Sequence, residues 1–361
     1  RQGYTGPISE SEYTALHKKN KDYTQNDTVG KAGLEQYYET YLRGKNGEQK
    51  FYIDNVGRIS EIISSTDSVA GDDLYLSIDA DLQKATYLAL QNEIAAIVYS
   101  NIKSGEIPIN DVYTALIGNS VINTEHFSKS KASDTEKSVL SVFKSRQKTT
   151  LGKIKQELTS SPEALNTMSD EVLDEFTYII SMLKDDQVLL KNEIDTSDSV
   201  YQKWKDQKIS PKEYLNYCIT QHWIDISQLN VDEKYADSTE VYDALCKYIL
   251  KNIKTDTEFS KIIYQYMITR GEISPRQLCL ILFDQGVLDY DDATVNKLKN
   301  GSLSPRDFLM KKIYNIEITP AQLALEPCIG SCVVTDEKTG EIRAMVSYPG
   351  SVSYTHLTLP T

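Results

Sequence analysis

Apolar residues recur at helical spacing through most of the middle of the chain and alternate only toward its two ends. Over residues 33–42, Leu34, Tyr37, Tyr38, Tyr41 and Leu42 fall at helical spacing, and Gly44 and Gly47 then stop the helix. Phe51-Tyr52-Ile53-Asp54-Asn55-Val56-Gly57-Arg58-Ile59 reads as a strand, a turn at 54–57 and a second strand. Leu74-Tyr75-Leu76-Ser77-Ile78 alternates as a strand and runs into Asp79, a good N-cap. The helix that follows carries Leu82, Ala85, Ala89, Ile94, Ile97 and Val98 on its apolar side and ends near Gly105, just before Pro108.

From about residue 107 to 326 the pattern is helix after helix. Four sites share one start signal: Ser210-Pro211-Lys212-Glu213, Ser274-Pro275-Arg276-Gln277, Ser304-Pro305-Arg306-Asp307 and Thr319-Pro320-Ala321-Gln322. The hydroxyl residue caps the helix, and proline takes the first helical position, where its missing N–H costs nothing. The acid or amide three residues after the cap can bond back to the cap's own N–H. The apolar residue before each cap (Ile209, Ile273, Leu303, Ile318) can staple onto the one four residues after it. Ser161-Pro162-Glu163 is a weaker fifth case. The four prolines lie 64, 30 and 15 residues apart, so there is no fixed repeat, and helical punctuation of an all-α insertion is preferred over a repeat scaffold. After residue 327 the pattern returns to β: residues 330–335 and 341–347 alternate around Asp336-Glu337-Lys338-Thr339-Gly340, a hairpin with its glycine at the end of the turn.

Composition narrows the classes. The 361 residues are 40% apolar, which excludes a disordered chain, and Gly and Pro number 17 and 10, too few for a collagen. With 52 acidic against 39 basic residues the net charge is -13, which argues against nucleic acid as a partner. Five cysteines, all beyond residue 217, make no disulfide framework, and no run has the roughly 18 apolar residues that a membrane helix needs. The opening Arg1-Gln2-Gly3-Tyr4 reads as the middle of a longer protein, so the lack of an anchor here says little about the parent.

Two blocks flanking the helical region carry a family resemblance. The first runs from Gly3-Tyr4-Thr5-Gly6-Pro7 through Val29-Gly30-Lys31-Ala32-Gly33-Leu34-Glu35, Tyr38-Glu39, Leu42-Arg43-Gly44 and Gly47 to Leu76-Ser77-Ile78-Asp79-Ala80-Asp81-Leu82-Gln83. The second is Gly330-Ser331-Cys332-Val333-Val334-Thr335-Asp336 with Thr339-Gly340-Glu341-Ile342-Arg343-Ala344-Met345-Val346-Ser347-Tyr348-Pro349. These strings resemble the pedestal (dimerisation) module of class B penicillin-binding proteins and the first helix and hairpin of their transpeptidase domain. Together they cover about a third of the chain.

The resemblance implies an α+β protein. Residues 1–72 would be the pedestal module and 73–106 the first strand and helix of a serine β-lactamase-like transpeptidase domain. Residues 107–326 would be a large helical insertion, and 327–350 the transpeptidase hairpin. Residues 351–361 read as a foreign tail. It further implies a parent bound to the membrane with these domains outside it. That parent would crosslink peptidoglycan stem peptides through a serine acyl-enzyme that β-lactams trap, acting in cell-wall synthesis and cell shape. A second copy of the chain, or division or elongation proteins, would be its partners. Gly33, Leu34, Glu35, Arg43, Gly44, Asp79, Gln83 and Gly340 would be structural family residues, with Glu35 and Arg43 as a candidate salt bridge.

The catalytic centre itself is expected downstream of Pro349. The chemistry needs a serine with lysine one helical turn later, a Ser-x-Asn element and a Lys-Thr-Gly strand. Five Ser-x-x-Lys strings occur (Ser100/Lys103, Ser128/Lys131, Ser141/Lys144, Ser145/Lys148, Ser181/Lys184), close to the roughly three that chance supplies. Ser141-Val142-Phe143-Lys144 comes nearest the family's S-T-F-K, but it precedes the hairpin and reads as a solvated helix face. Lys338-Thr339-Gly340 sits in the hairpin turn, and Ser-x-Asn is absent from the sequence. This chain is therefore expected to be inactive by itself; the rival reading is a non-catalytic scaffold that binds cell-wall or division partners. No cofactor or metal is expected: His17, His126, His222 and His356 are scattered. Cys328 and Cys332 on one extended segment would lie beyond disulfide reach and read as buried small apolar residues. The 24 tyrosines, such as Tyr214 with Tyr217, read as amphipathic packing.

Overall fold

The computed structural model describes residues 3–54, 58–160, 163–231 and 237–350; the foreign-tail expectation for 351–361 lies outside them. The described chain divides into two compact units. Everything up to Leu88, together with the chain from Ser331 onward, forms one, and residues 89–330 form the other.

In the first unit, strand β1 (Gly3–Pro7) pairs antiparallel with β2 (Thr28–Ala32), Thr5 opposite Gly30 and Pro7 opposite Thr28, with a bulge between Tyr4 and Thr5. Between them lies helix α1 (Glu10–Lys19), started by a capping box: Glu12 N–H donates to Ser9 Oγ, and Ser9 N–H to Glu12 Oε2 at 2.7 Å. Where the tyrosine pattern predicts one helix over 33–42, the structure has two, α2 (Gly33–Tyr37) and α3 (Glu39–Leu42). Tyr38 breaks them with φ -101° and ψ 16°, and the following Glu39 reaches back to the Gly30 N–H at 2.7 Å. Tyr37 and Tyr41 are exposed, so this tyrosine face is not a core face.

The next hairpin, β3 (Glu48–Ile53) with β4 (Ile59–Thr66), is antiparallel as expected; residues 55–57 of its turn lie outside the described residues. Residues 74–78, in contrast, form no strand. They hold to strand β6 (Ile342–Tyr348) through one hydroxyl, Ser77 Oγ donating to the Ile342 carbonyl at 2.8 Å, in place of a backbone ladder. Strand β5 (Gly330–Thr335) pairs with β6. Helix α4 (Ala80–Ser104) ends where expected, at Gly105 with φ +90°.

The second unit continues from α4 with α5 (Ile109–Gly118), α6 (Asp134–Thr159), α7 (Asp170–Asp185), α8 (Ser199–Lys205) and α9 (Pro211–Thr220). Then come α10 (Ser238–Ile253), α11 (Thr257–Thr269), α12 (Pro275–Asp284), α13 (Asp292–Asn300), α14 (Pro305–Tyr314) and α15 (Pro320–Leu323). All four hydroxyl–proline starts form: Ser210, Ser274, Ser304 and Thr319 each accept the N–H three residues on at 3.0–3.3 Å. The return bond to the cap's own N–H forms at Gln277 and Gln322 and, among the described residues, not at Glu213 or Asp307. The staple partners Tyr214, Leu278, Phe308 and Leu323 are buried. The fifth candidate, at Ser161-Pro162, lies outside the described residues. Helix α6 is the spine, packed on α9, α10, α11 and α12, and Phe143 stacks on Tyr264 with ring centres 4.2 Å apart.

Three glutamates are buried in this unit. Burial raises a carboxyl pKa, but bonds from Gln285, His126 and the Ser133 backbone hold Glu136 below the usual range. Glu171 takes Arg146 at 2.9 Å and Arg270 at 2.6 Å. Glu175 has an oxygen without a partner among the described residues; burial, and the adjacent Glu171 carboxylate, push its pKa up to about 8. The folded state thus holds a proton that the unfolded chain gives up near pH 4.5, so this contribution is full below that value and is lost as pH rises through about 8. Glu175→Gln should leave the melting temperature nearly unchanged at pH 4.5 and raise it by about 4 °C or more at pH 8. Calorimetry across that range checks it, and parallel pH curves for the two proteins would refute the buried proton.

Candidate functional site

The residues singled out in the two flanking blocks gather at two places, both in the first unit. The first is built around a close approach of backbones. A Cβ on Gly30 would lie 2.1 Å from the Glu35 carbonyl oxygen, and one on Gly3 2.9 Å from the Glu35 amide nitrogen, so β1, β2 and α2 pack together only with glycine at these positions. Gly33 opens α2 at φ +60°. Gly44 has φ +72° and lies against the Val69 carbonyl, where Lys45 forms an antiparallel bridge with Val69.

Arg43 closes this module. Its guanidinium pairs with Asp27 at 2.5 Å, donates to the Asp22 carbonyl at 2.8 Å and lies 3.8 Å from the Tyr23 ring centre. Burial would raise the Asp27 pKa, but hydrogen bonds from Thr24 and Arg43 hold it below the usual carboxylate value. Glu35, expected as Arg43's partner, is not in ion-pair contact with it. The Tyr23 ring and the Asp22 carbonyl aim the guanidinium at the 22–27 loop, while Glu35 lines the same pocket of about 260 Å³ beside Glu39. Sequence reasoning missed Asp27 and Tyr23, because nothing in their spacing marks them as partners of a residue 16 or more positions away.

The second place is the N-terminus of α4. Asp79 Oδ1 accepts the N–H groups of Asp81 and Leu82 at 3.0 and 2.9 Å, as a cap should, and its own N–H donates to the Arg343 carbonyl. One turn on, Gln83 clamps β6 at two points: Nε2 donates to the Met345 carbonyl and Oε1 accepts the Met345 N–H, both at 2.7 Å. The amide thereby completes the outer edge of the strand as another strand would. Tyr87 packs against Tyr348, ring centres 5.7 Å apart. In the turn beyond β5, Asp336 accepts the Lys338 and Thr339 N–H groups, and Gly340 has φ +74°, so Lys338-Thr339-Gly340 is turn chemistry.

Between these places lies an open cleft of about 950 Å³, lined by Leu34, Tyr37, Leu76, Gln83, Tyr87, Ile342, Met345 and neighbours, with Lys84 as the one charged residue. It can seat an apolar surface or a peptide; of its two lining serines, Ser77 donates to the Ile342 carbonyl, and among the described residues neither Ser77 nor Ser347 hydrogen-bonds Lys84. The five serines of the Ser-x-x-Lys strings are exposed, and none hydrogen-bonds its lysine among the described residues. Cys328 and Cys332 are free and half-buried, more exposed than the sequence suggests. Among the described residues no group of three or more His, Cys, Asp or Glu could hold a metal ion, and no helix is long and apolar enough to cross a membrane.

Residues 2–76 match the penicillin-binding protein dimerisation domain. Peptidoglycan D,D-transpeptidase MrdA of Salmonella typhimurium (strain SL1344) is 33% identical over 107 residues, 29% of this chain and 17% of the relative. MrdA of Escherichia coli (strain K12) is 30% identical over the same length. Peptidoglycan D,D-transpeptidase FtsI of Escherichia coli (strain K12) is 34% identical over 118 residues, 33% of this chain and 19% of the relative. The chain thus spans less than a fifth of the length of these relatives. No solved structure matches it.

Two substitutions test the assignments. Arg43→Met keeps the packing stem but leaves Asp27 unpaired, and should destabilise the first unit by about 1–3 kcal/mol. Urea unfolding followed at Tyr23 reads this, and an unchanged midpoint would refute the lock. Gln83→Leu should cost about 1–2 kcal/mol and release the Met345 amide to hydrogen exchange; retained protection there would mean that the clamp is not what shields the strand edge.

Proposed function

We propose that the chain is the pedestal and opening part of a peptidoglycan D,D-transpeptidase of the class B penicillin-binding proteins, a reading supported by the dimerisation-domain match over residues 2–76. In this reading residues 1–72 are the pedestal, 73–106 and 327–350 open the transpeptidase domain, and 107–326 interrupt it. The observation that carries it is the Gln83 clamp on Met345, which joins residues 262 positions apart into one small structure. A helix and hairpin docked in this way make sense as neighbours in one domain with an insertion between them.

The parent would act on peptidoglycan stem peptides. A serine hydroxyl, deprotonated by a lysine one turn away, would attack the peptide carbonyl, release the terminal D-residue and form an acyl-enzyme that a second stem peptide resolves. β-Lactams would acylate the same serine. The nucleophile is assigned to sequence downstream of Pro349. The pedestal would serve contacts with a second copy or with division or elongation proteins, outside a membrane to which the parent is anchored.

Labelling with a fluorescent penicillin tests this. The 361-residue chain should not be labelled, whereas a gene product that continues past Pro349 into a further Ser-x-x-Lys string should be, at the serine of that string. Labelling of this chain at Ser141 would overturn the placement of the active site. A full-length gene product that carries no such string and stays unlabelled would instead favour a non-catalytic interaction module.

A further inference from the structure

Helices α6 and α10 run antiparallel side by side: Gln147 Nε2 donates to the Lys254 carbonyl near one end, and Tyr242 Oη to the Leu158 carbonyl near the other. Along their seam lies a groove of about 500 Å³ with Leu151 and Leu250 half-buried in its floor and Lys144, Lys148, Lys155 and Lys254 on its walls. Lys247 and Lys251 continue the basic row on α10, one turn apart, and Glu240 and Asp243 are the acids on that face, toward the start of the helix. On α6 the stretch from Lys137 to Gln156 contains no acidic residue at all. Among the described residues none of Lys144, Lys148, Lys155 or Lys254 makes an ion pair, although acids outnumber bases 52 to 39 in the chain.

Lysines on a solvated helix are ordinarily interspersed with acids at i±3 or i±4, which neutralise them in place. Here that neutralisation is missing at Lys144, Lys148 and Lys155 of α6 and at Lys251 of α10, and the apolar floor between the two helices is recessed. We propose that the α6/α10 groove is a docking site for an acidic amphipathic helix of a partner protein. Its leucine-like residues would sit on Leu151 and Leu250, and its carboxylates would meet the lysine rows. The groove's chemistry favours this occupant over the other polyanions. It offers neither an aromatic platform nor an arginine fork for nucleotide bases, since Arg146, the arginine of α6, is held by Glu171. A lipid surface needs protruding apolar side chains, and these leucines are sunk between exposed lysines.

The full chain is titrated into a fluorescein-labelled peptide of three Leu-Glu-Glu-Leu-Ala-Glu-Gln heptads, with anisotropy as the readout. The comparison probes are the same residues scrambled, an oligothymidylate of equal charge, and phosphatidylglycerol vesicles. The expected result is saturable binding of the patterned peptide, at least about fivefold tighter than the scrambled one, and weakened at least about tenfold between 0.1 and 0.5 M salt. Lys148→Glu with Lys155→Glu, both on exposed positions, should weaken it by at least about tenfold with the circular dichroism unchanged. Absence of saturable binding, equal affinity for the scrambled peptide, or tighter binding to the oligothymidylate or the vesicles would each overturn the proposal. These arms use the unaltered chain and stand even if the double variant misfolds. A folded double variant that binds normally would overturn it as well.

Discussion

The outer edge of β6 is the constraint on which the arrangement of the chain depends. An unpaired strand edge leaves backbone donors and acceptors that must find partners. Here the Ile342, Arg343 and Met345 groups are taken by Ser77, Asp79 and Gln83. Because those partners lie more than 260 residues away in sequence, satisfying one strand edge obliges the intervening chain to leave this unit and return to it. The helical unit accommodates that obligation within itself. A Cβ on Gly330, its last residue, would meet Leu90 at 3.0 Å and Ile94 at 3.2 Å, so its first and last segments adjoin. Adjoining termini are what let a folded segment be inserted into another without straining either.

The two units hold together by different means. The helical one buries a continuous apolar core, with Leu116, Ile179, Phe259, Ile263 and Leu282 fully inaccessible. In the first unit the buried side chains are few: Tyr23, Val29, Ala344, Val346 and Tyr348 among them. A small core leaves more of the stability to directed contacts. That explains why glycines with no room for a Cβ, the Arg43–Asp27 pair and the Gln83 clamp concentrate there. Where the helical unit does bury charge, at Glu136 and Glu171, each carboxylate is met by several donors from different helices, as a low-dielectric interior requires.

What could be read from the sequence was whatever is settled within a few residues. Serine or threonine before proline fixes a helix start by local bonding alone, and all four such starts formed. So did the Asp79 cap, the stop at Gly105 and the Asp336 turn, each decided by one side chain or one backbone angle. The misses were long-range. Residues 74–78 alternate like a strand but meet β6 through a hydroxyl, and the tyrosines of 33–42 recur at helical spacing although the helix breaks at Tyr38. Glu35 of the family string is not Arg43's ion partner, because the choice was made by Tyr23 and Asp22 in a distant loop. The cleft residues Leu34 and Gln83 could be named from the resemblance, but the sequence held no sign that one amide would complete a strand 262 residues away.

The net charge shows the same limit from another side. An excess of acid over the whole chain argues against polyanionic ligands only if a ligand senses the whole chain, and at physiological salt it does not: fields decay over about 8 Å. Within that distance of Leu151 and Leu250 the rims are lysine, whatever the total. The distribution also bears on selectivity. A flexible polyanion approaching from solution meets a predominantly acidic surface first, whereas a partner whose acidic residues sit on one face of a helix can present them to the groove and turn its remaining surface away. An acidic protein with one basic seam thereby discriminates among anions by shape as well as by charge.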